Sequence, residues 1–120
     1  MITIIPESQG NVLGVRATER VTGRDYEQIL IPRLESVIKE HGKARFLCYM
    51  DQGFRGMHAK AVWDDAAFAM HHRNDFAKVA VVGGTWWIDW AVRLGRRFMR
   101  GQMRTFPASK LEEAWDWVRV

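Results

Sequence analysis

Cysteine is nearly absent from this chain of 120 residues, in which Cys48 is the single example. One cysteine cannot form an intramolecular disulfide, so the sequence does not point to an oxidising compartment. Long hydrophobic runs are also missing, because no apolar stretch approaches the roughly 18 residues that span a bilayer. Residues 1–10 lack the basic start and apolar core of a secretory signal. We therefore expect a reducing, cytoplasmic location.

Residue patterns that carry metal or acid–base chemistry are missing as well. No two of His58, His71 and His72 have the four-residue separation that lets two histidines on one side of a helix bind zinc. Asp64 and Asp65 are neighbours on a predicted helix and point apart, so they do not form the carboxylate pair of an acid–base site. We predict no catalytic residues, no bound metal and no cofactor, and hence a protein that is not an enzyme. An enzyme of an uncharacterised kind is the third possibility for its function.

Positive charge is what the sequence has in excess, with a formal net charge of +4. Much of it falls in one short window, which contains Arg93, Arg96, Arg97, Arg100 and Arg104. In a chain of modest net charge, a single basic patch is more typical of a solvated surface or of a site for an anionic partner than of a DNA-binding groove. We therefore do not expect nucleic-acid binding.

The order of the predicted elements indicates an α/β fold in one domain, residues 1–120. Short apolar runs alternate with amphipathic helices in the order β-β-α-β-α-β-α-β-α. The predicted strands are residues 2–6, 12–18, 45–50, 79–82 and 102–106, with a loop at 51–56 and a helix from about 57 to 73. Pro32 is expected to kink the first helix, which begins after Thr22. We predict a five-stranded, mainly parallel sheet with an antiparallel N-terminal edge strand and four helices.

Several segments, taken in order, resemble one known family. They are Gly10-Asn11-Val12-Leu13-Gly14-Val15, Asp25-Tyr26-Glu27 with Pro32 and Leu34, Lys78-Val79-Ala80-Val81-Val82-Gly83, Trp86-Trp87 and Leu111-Glu112-Glu113-Ala114-Trp115-Asp116-Trp117. Their order and spacing resemble the bacterial SpoIIAA-like proteins, a branch of the STAS-type fold. The resemblance covers nearly the whole chain. It implies successive β-α turns with helices stacked mainly on one side of the sheet, an arrangement shared with CRAL-TRIO lipid-binding domains.

The resemblance does not extend to the phosphorylation switch of the namesake anti-sigma-factor antagonists. Those proteins carry a phosphorylatable serine at the start of the helix after the third strand. Here residues 51–65 contain no Ser, Thr or Tyr, and Gly56, Met57 and His58 occupy the corresponding helix start. Anti-sigma antagonism by that route is therefore not expected.

The predicted third helix, which follows the turn Gly83-Gly84-Thr85 and runs to about residue 100, combines three tryptophans with four arginines. At about 100° per residue its apolar side chains cover roughly 200° of the circumference, while a helix on a sheet needs a stripe of little more than about 100°. Packing against both the sheet and a neighbouring helix would account for the surplus. A hydrophobic pocket, a second subunit or a membrane surface is the alternative explanation for the surplus.

The predicted second helix carries two apolar stripes. The stripe expected to face the core consists of Ala59, Val62, Trp63, Ala66, Ala69 and Met70. The second stripe consists of Met57, Ala61 and Phe68. Combining both helices, we predict ligand or partner binding by Met57, Trp63, Met70, Trp86, Trp87, Trp90, Arg93 and Arg97. The favoured function is a non-catalytic binding module for a protein partner or a small apolar or acidic ligand, with homodimerisation possible. The alternative is a protein that associates with lipid or a membrane surface.

Overall fold

The structure, a computed structural model, describes residues 1–83, 92, 93, 95–97 and 100–120. In these residues five strands form one sheet whose spatial order is the chain order. They are β1 (Ile2–Ile4), β2 (Val12–Val21), β3 (Ala44–Met57), β4 (Phe76–Gly83) and β5 (Gln102–Phe106). β1 pairs with β2 in antiparallel fashion and the other neighbours are parallel. The predicted sheet is thus confirmed, including its antiparallel edge strand.

The first helix, α1, joins β2 to β3 and consists of three consecutive segments. These are an α-helical turn Gly23–Asp25, a π-helical turn Tyr26–Leu30 and an α-helix Ile31–His41. Thr22 and Asp25 cap its start reciprocally, each side chain bonding to the other's backbone N–H. The wider π turn ends two residues before Pro32 and contains Gln28, whose carbonyl the proline ring would crowd in a regular α-helix. The predicted disturbance at Pro32 thus takes the form of a π turn.

Two further helices are α2 (Ala59–His71) and α3 (Leu111–Arg119), the latter preceded by a short 3-10 turn Ala108–Lys110. Of the predicted Trp/Arg helix, residues 92, 93 and 95 are helical, and the Arg96 N–H donates to the Val92 carbonyl at 3.0 Å. Residues 84–91, 94, 98 and 99 lie outside the described part of the chain. The four predicted helices therefore correspond to three described helices and a few helical residues of the fourth.

The two faces of the sheet carry separate cores, because successive strand residues point to opposite sides. On one face, Phe46 and Met50 of β3 pack with residues of α1 and α2. On the other, Leu47 of β3 packs beneath Trp115 and Val118 of α3. The guanidinium of Arg45 donates to the Val118 carbonyl at 2.9 Å, and Lys78 Nζ donates to the Trp117 carbonyl at 3.0 Å. α3 is thereby fixed on the opposite face of the sheet from α1 and α2.

The prediction of a loop at residues 51–56 is wrong, because β3 continues to Met57. Beyond Met50, β3 leaves β4 and pairs only with β2, which extends to Val21. Two register shifts flank Glu19, whose φ of 56° is a left-handed value that side chains other than glycine seldom adopt. Gly56 on the facing strand has a φ of 116°. These irregular residues let a glycine-containing segment with the composition of a loop remain part of the sheet.

Candidate functional site

The outward surface of α2 carries three of the six large hydrophobic side chains that are exposed in the described part of the chain. Trp63 is 71% exposed, and Val62 and Met70 are each 49% exposed. Ala66 is exposed between them. Residues 62, 63, 66 and 70 recur at three- and four-residue intervals and so share one side of the helix. We call this surface, made of Val62, Trp63, Ala66 and Met70, the α2 apolar face.

The exposure of the α2 apolar face contradicts the prediction of which stripe of this helix packs into the core. Ala61 is fully buried, and Phe68 and Met57 are partly buried against the same core. The predicted core stripe containing Trp63 is therefore wrong, and the stripe through Ala61 and Phe68 is the one that packs.

Polar contacts to α1 fix the rotation of α2 that exposes this face. The Tyr26 hydroxyl donates to Asp65 Oδ1 at 2.9 Å. Lys60 Nζ lies 3.1 Å from both Glu27 Oε1 and Asp64 Oδ1. The pairs with Glu27 and Asp64 raise the pKa of Lys60, which keeps its ammonium charged. The Lys60–Asp64 pair lies within α2, whereas rotating α2 to bury Trp63 would break the contacts of Asp65 with Tyr26 and of Lys60 with Glu27.

Reactive side chains beneath α2 are held in unreactive forms. Burial, reinforced by the charge of Asp65, raises the pKa of the Cys48 thiol to about 12. Burial likewise raises the pKa of Tyr26 well above its usual value, and nearby Asp65 adds to the effect. Although Asp65 has solvent-exposed surface, the protein packed around its carboxyl raises its pKa, while the hydrogen bond from Tyr26 acts in the opposite direction. At neutral pH Cys48 is therefore a protonated thiol and not a nucleophile.

The eight residues predicted to bind are only partly brought together. Trp63 and Met70 belong to the α2 apolar face, whereas Met57 is half-buried and packs against the core. Arg93 and Arg97 are exposed. Trp86, Trp87 and Trp90 lie outside the described residues.

The arginine-rich segment approaches the carboxyl end of α2. The backbone N–H of Arg100 donates to the carbonyl of Arg73 at 3.3 Å, just beyond the end of that helix. Val92, at the start of the segment, is buried in the core on the same sheet face as α2. The segment therefore contacts the carboxyl end of α2 and contributes to the core on the same sheet face.

Two open clefts lie elsewhere, near the carboxyl ends of the parallel strands. The first, of about 550 Å³, is lined by Met50, Asp51, Gln52, Gly83, Thr105, Phe106, Pro107 and Ala108. The second, of about 590 Å³, is lined by Thr18, Glu19, Arg20, Gly53 and Arg55. Neither includes a residue of α2. Sequence reasoning missed both, because residues 51–56 were expected to form a loop and β2 was expected to end at Thr18.

One ion pair organises the region between the clefts. Arg16 Nε donates to Asp51 Oδ2 at 2.7 Å, and the Gly53 N–H donates to Asp51 Oδ1 at 2.8 Å. Burial alone would raise the pKa of Asp51, but hydrogen bonds from Arg16, the Thr18 hydroxyl and the Gly53 N–H lower it. Asp51 is thus a structural carboxylate whose oxygens already have partners.

The same described residues offer neither a metal-binding cluster nor a membrane-spanning helix. They contain no cluster of three or more His, Cys, Asp or Glu side chains placed to hold a metal ion. None of their helices combines the length and apolar character needed to cross a membrane.

Comparison with known proteins agrees with the fold. A solved structure of an uncharacterised protein from Shewanella loihica PV-4, which has a SpoIIAA-like fold, superposes with a TM-score of 0.74 at 28% sequence identity. The match covers 98% of this chain and 93% of that one. No curated protein matches the sequence. The SpoIIAA-like family matches residues 12–119, and the chain therefore belongs to the SpoIIAA-like family.

Proposed function

We propose that this protein is a non-catalytic binding module whose α2 apolar face binds a helix of a protein partner. The observation that carries the proposal is the 71% exposure of Trp63 on a helix that one hydrogen bond and one ion pair hold against α1. Burying the exposed part of a tryptophan contributes about 3 kcal/mol at roughly 25 cal/mol per Å². An aromatic residue of this kind is the usual anchor of a protein interface.

The shape of the α2 apolar face suits a helical partner. Its residues recur at the spacing of a helix–helix seam, and they alternate large side chains with the small Ala66. A small residue lets a second helix approach closely, while Trp63 and Met70 provide side chains that insert beside it. A second copy of this chain is one protein that could supply such a helix.

Support for a non-catalytic role comes from the unreactive state of the buried groups and from the family. Cys48 is protonated at neutral pH, and the described residues hold no metal-binding cluster. We place the protein in the cytoplasm, where a thiol such as that of Cys48 remains reduced. Fractionation of cells tests that location.

The partner is tested by photo-crosslinking followed by measured affinity. A photoreactive amino acid replaces Val62 in the full chain, and the crosslinked protein is identified, purified and titrated by calorimetry. We expect Trp63→Ala to weaken that complex by at least about tenfold, which corresponds to about 1.4 kcal/mol. Ile29→Ala provides the matched control, because Ile29 is a 38% exposed apolar residue on α1 and should leave the affinity unchanged.

Two results would contradict the proposal. One is a purified complex whose affinity is the same with Trp63→Ala as with Ile29→Ala. The other is a crosslink that forms equally from a photoreactive residue at Arg33, on the exposed side of α1. If the crosslinked species is a second copy, sedimentation must also show a dimer that Trp63→Ala dissociates.

An anionic membrane surface is the second candidate, and a specific observation favours it. Arg93 and Arg97 are exposed and form no ion pair within the described residues, in a segment whose Val92 belongs to the core that α2 covers. Exposed tryptophan and arginine side chains are typical of interfacial binding, in which each basic residue adds about 1 kcal/mol near an anionic surface. We expect salt-sensitive co-sedimentation with phosphatidylserine vesicles that is lost in Trp63→Ala and Arg97→Glu but kept in Arg33→Glu. Absence of binding at low salt removes this candidate and leaves the protein partner.

A further inference from the structure

We propose that the cleft between the extended ends of β2 and β3 binds a small oxyanion of the phosphate class. The cleft is lined by Thr18, Glu19, Arg20, Gly53 and Arg55 and has a volume of about 590 Å³. We call it the Arg20–Arg55 cleft. It lies apart from the α2 apolar face, so the two proposals stand or fall separately.

The irregular pairing of β2 and β3 creates this cleft. Register shifts occur between Ala17 and Glu19 and between Glu19 and Arg20, where Glu19 faces Phe54 and Arg20 faces Gly56. In a regular strand, neighbouring side chains point to opposite faces. Here three consecutive residues of β2 line one cleft, because a bulge redirects side chains.

Glu19 holds a strained backbone conformation at the centre of this bulge. Its φ of 56° lies in the left-handed region, and Glu19 is the only residue other than glycine with positive φ in the described chain. Such a conformation costs on the order of 1–3 kcal/mol and persists where surrounding structure imposes it. The surrounding structure here is the continued pairing of β2 with β3, which carries Arg20 and Arg55 to the cleft.

The charges of the cleft favour an anion. Arg20 and Arg55 are both exposed, and neither has an acidic group within ion-pair distance in the described residues. Arg16, on the same strand, contrasts with them because Asp51 neutralises it at 2.7 Å. Glu19 is the one acidic residue in the lining, so the two guanidinium groups leave an excess of one positive charge.

Gly53 lines the cleft at a position that has little room for a side chain. A Cβ atom at Gly53 would lie 2.9 Å from Thr18 Oγ1 and 3.3 Å from Asp51 Oδ1. The Gly53 N–H and the Thr18 hydroxyl are both directed to Asp51. The contacts to a ligand are therefore left to the guanidinium groups of Arg20 and Arg55, which bind phosphate oxygens through paired N–H donors. A phosphate dianion gains more from two guanidinium groups than a singly charged carboxylate does.

The experiment is an NMR titration of the full chain with inorganic phosphate at pH 7.5, with ionic strength held constant by sodium chloride. We expect the largest amide shifts at residues 18–20 and 53–56, and weaker binding of acetate than of phosphate. Arg20→Gln and Arg55→Gln should each weaken phosphate binding at least about fivefold, because each removes one of the two cationic partners. Glu19→Gln should strengthen it about two- to fivefold, because it removes the negative charge from the lining.

Matched controls separate a local site from attraction to overall charge. Arg33→Gln and Glu35→Gln make the same charge changes at exposed positions of α1 and should leave phosphate affinity unchanged. All five positions are exposed or on the surface of the cleft, and unchanged dispersion of the amide spectrum confirms that each variant folds. Equal effects of the control and cleft variants would overturn the proposal. Acetate binding as tightly as phosphate would overturn the assignment to the phosphate class.

Discussion

Trp115 lies directly over Gly14, and adding one methyl group at that glycine tests how tightly α3 is seated on the sheet. A Cβ atom at position 14 would lie 2.4 Å from Cη2 and 2.7 Å from Cζ2 of Trp115. Ordinary contact begins at 3.4 Å, so the ring must move by about 1 Å. Trp115 is only 5% exposed, and Ala114 and Val118 beside it are fully buried. The ring therefore has no free space into which it can shift.

We expect Gly14→Ala to lower the free energy of unfolding by about 1–3 kcal/mol, the usual cost of overpacking a core. The clashing atoms, Cη2 and Cζ2, belong to the outer ring of the Trp115 indole. The shorter side chain of phenylalanine has no atoms at that position. Trp115→Phe alone should cost about 1–3 kcal/mol through lost packing. In the double variant, the new methyl group occupies part of the vacated space. The double variant should therefore be more stable than the sum of the single effects predicts, by at least about 1 kcal/mol.

Urea unfolding followed by circular dichroism measures these free energies, provided that the slope against urea is unchanged. Gly95→Ala is the control for the substitution itself, since its nearest neighbour, Met103 Sδ, lies 3.6 Å from the added carbon. That change should be neutral or stabilise by up to about 1 kcal/mol in a helical residue. A Gly14→Ala variant as stable as wild type, or strictly additive effects in the double variant, would refute the argument.

Three further predictions follow from side chains described above. Because hydrogen bonds hold the pKa of Asp51 below its ordinary 3.8 in the folded state, they stabilise the fold fully above about pH 5, and this contribution is lost as the pH falls through the lowered pKa. Asp51→Asn should therefore cost about 1–2 kcal/mol at pH 7 and little at pH 2, as measured by urea unfolding at each pH; an equal cost at both pH values would contradict the role of the charge. Cys48 should resist alkylation by iodoacetamide at pH 8 in the native state and react after unfolding in urea, as followed by mass spectrometry. Rapid labelling of the native protein would contradict the buried, protonated state of the thiol. Trp63→Ala should change the free energy of unfolding by less than about 0.5 kcal/mol, because a side chain that is 71% exposed contributes little to the core, and a loss of several kcal/mol would place it inside.

The sequence was sufficient to predict the sheet because its strands are local apolar runs. The run Val79–Val82 falls within β4, and the run from Arg45 to Met50 falls within β3. Buried parallel strands of this kind are apolar at nearly every position, so a short window identifies them. The extension of β3 to Met57 could not be predicted in this way. It depends on pairing with β2, which is distant in sequence, and on the backbone of Glu19 and Gly56.

Prediction of the candidate site was less complete, because apolar residues surround much of α2. Periodicity groups Val62, Trp63 and Met70 on one side of the helix but does not say whether that side faces the sheet. The choice is made by Ala61, which fits against the core, and by the hydrogen bond between Tyr26 and Asp65. Neither contact leaves a signal in a single sequence. The Arg20–Arg55 cleft was missed for a related reason, since a bulge is specified by backbone conformation.

The strands stand side by side in the order in which the ribosome makes them, so the sheet can grow by adding each new strand to the one made just before it. Such growth closes short stretches of chain and favours rapid assembly. α3 is different, because it follows all five strands and covers Leu47, Ala80 and Val82 on the opposite face. Until α3 is synthesised, it cannot cover those side chains, and the nascent sheet exposes a hydrophobic face to solvent. The time between synthesis of the strands and docking of α3 is therefore the period in which the nascent chain is most prone to aggregate through that face.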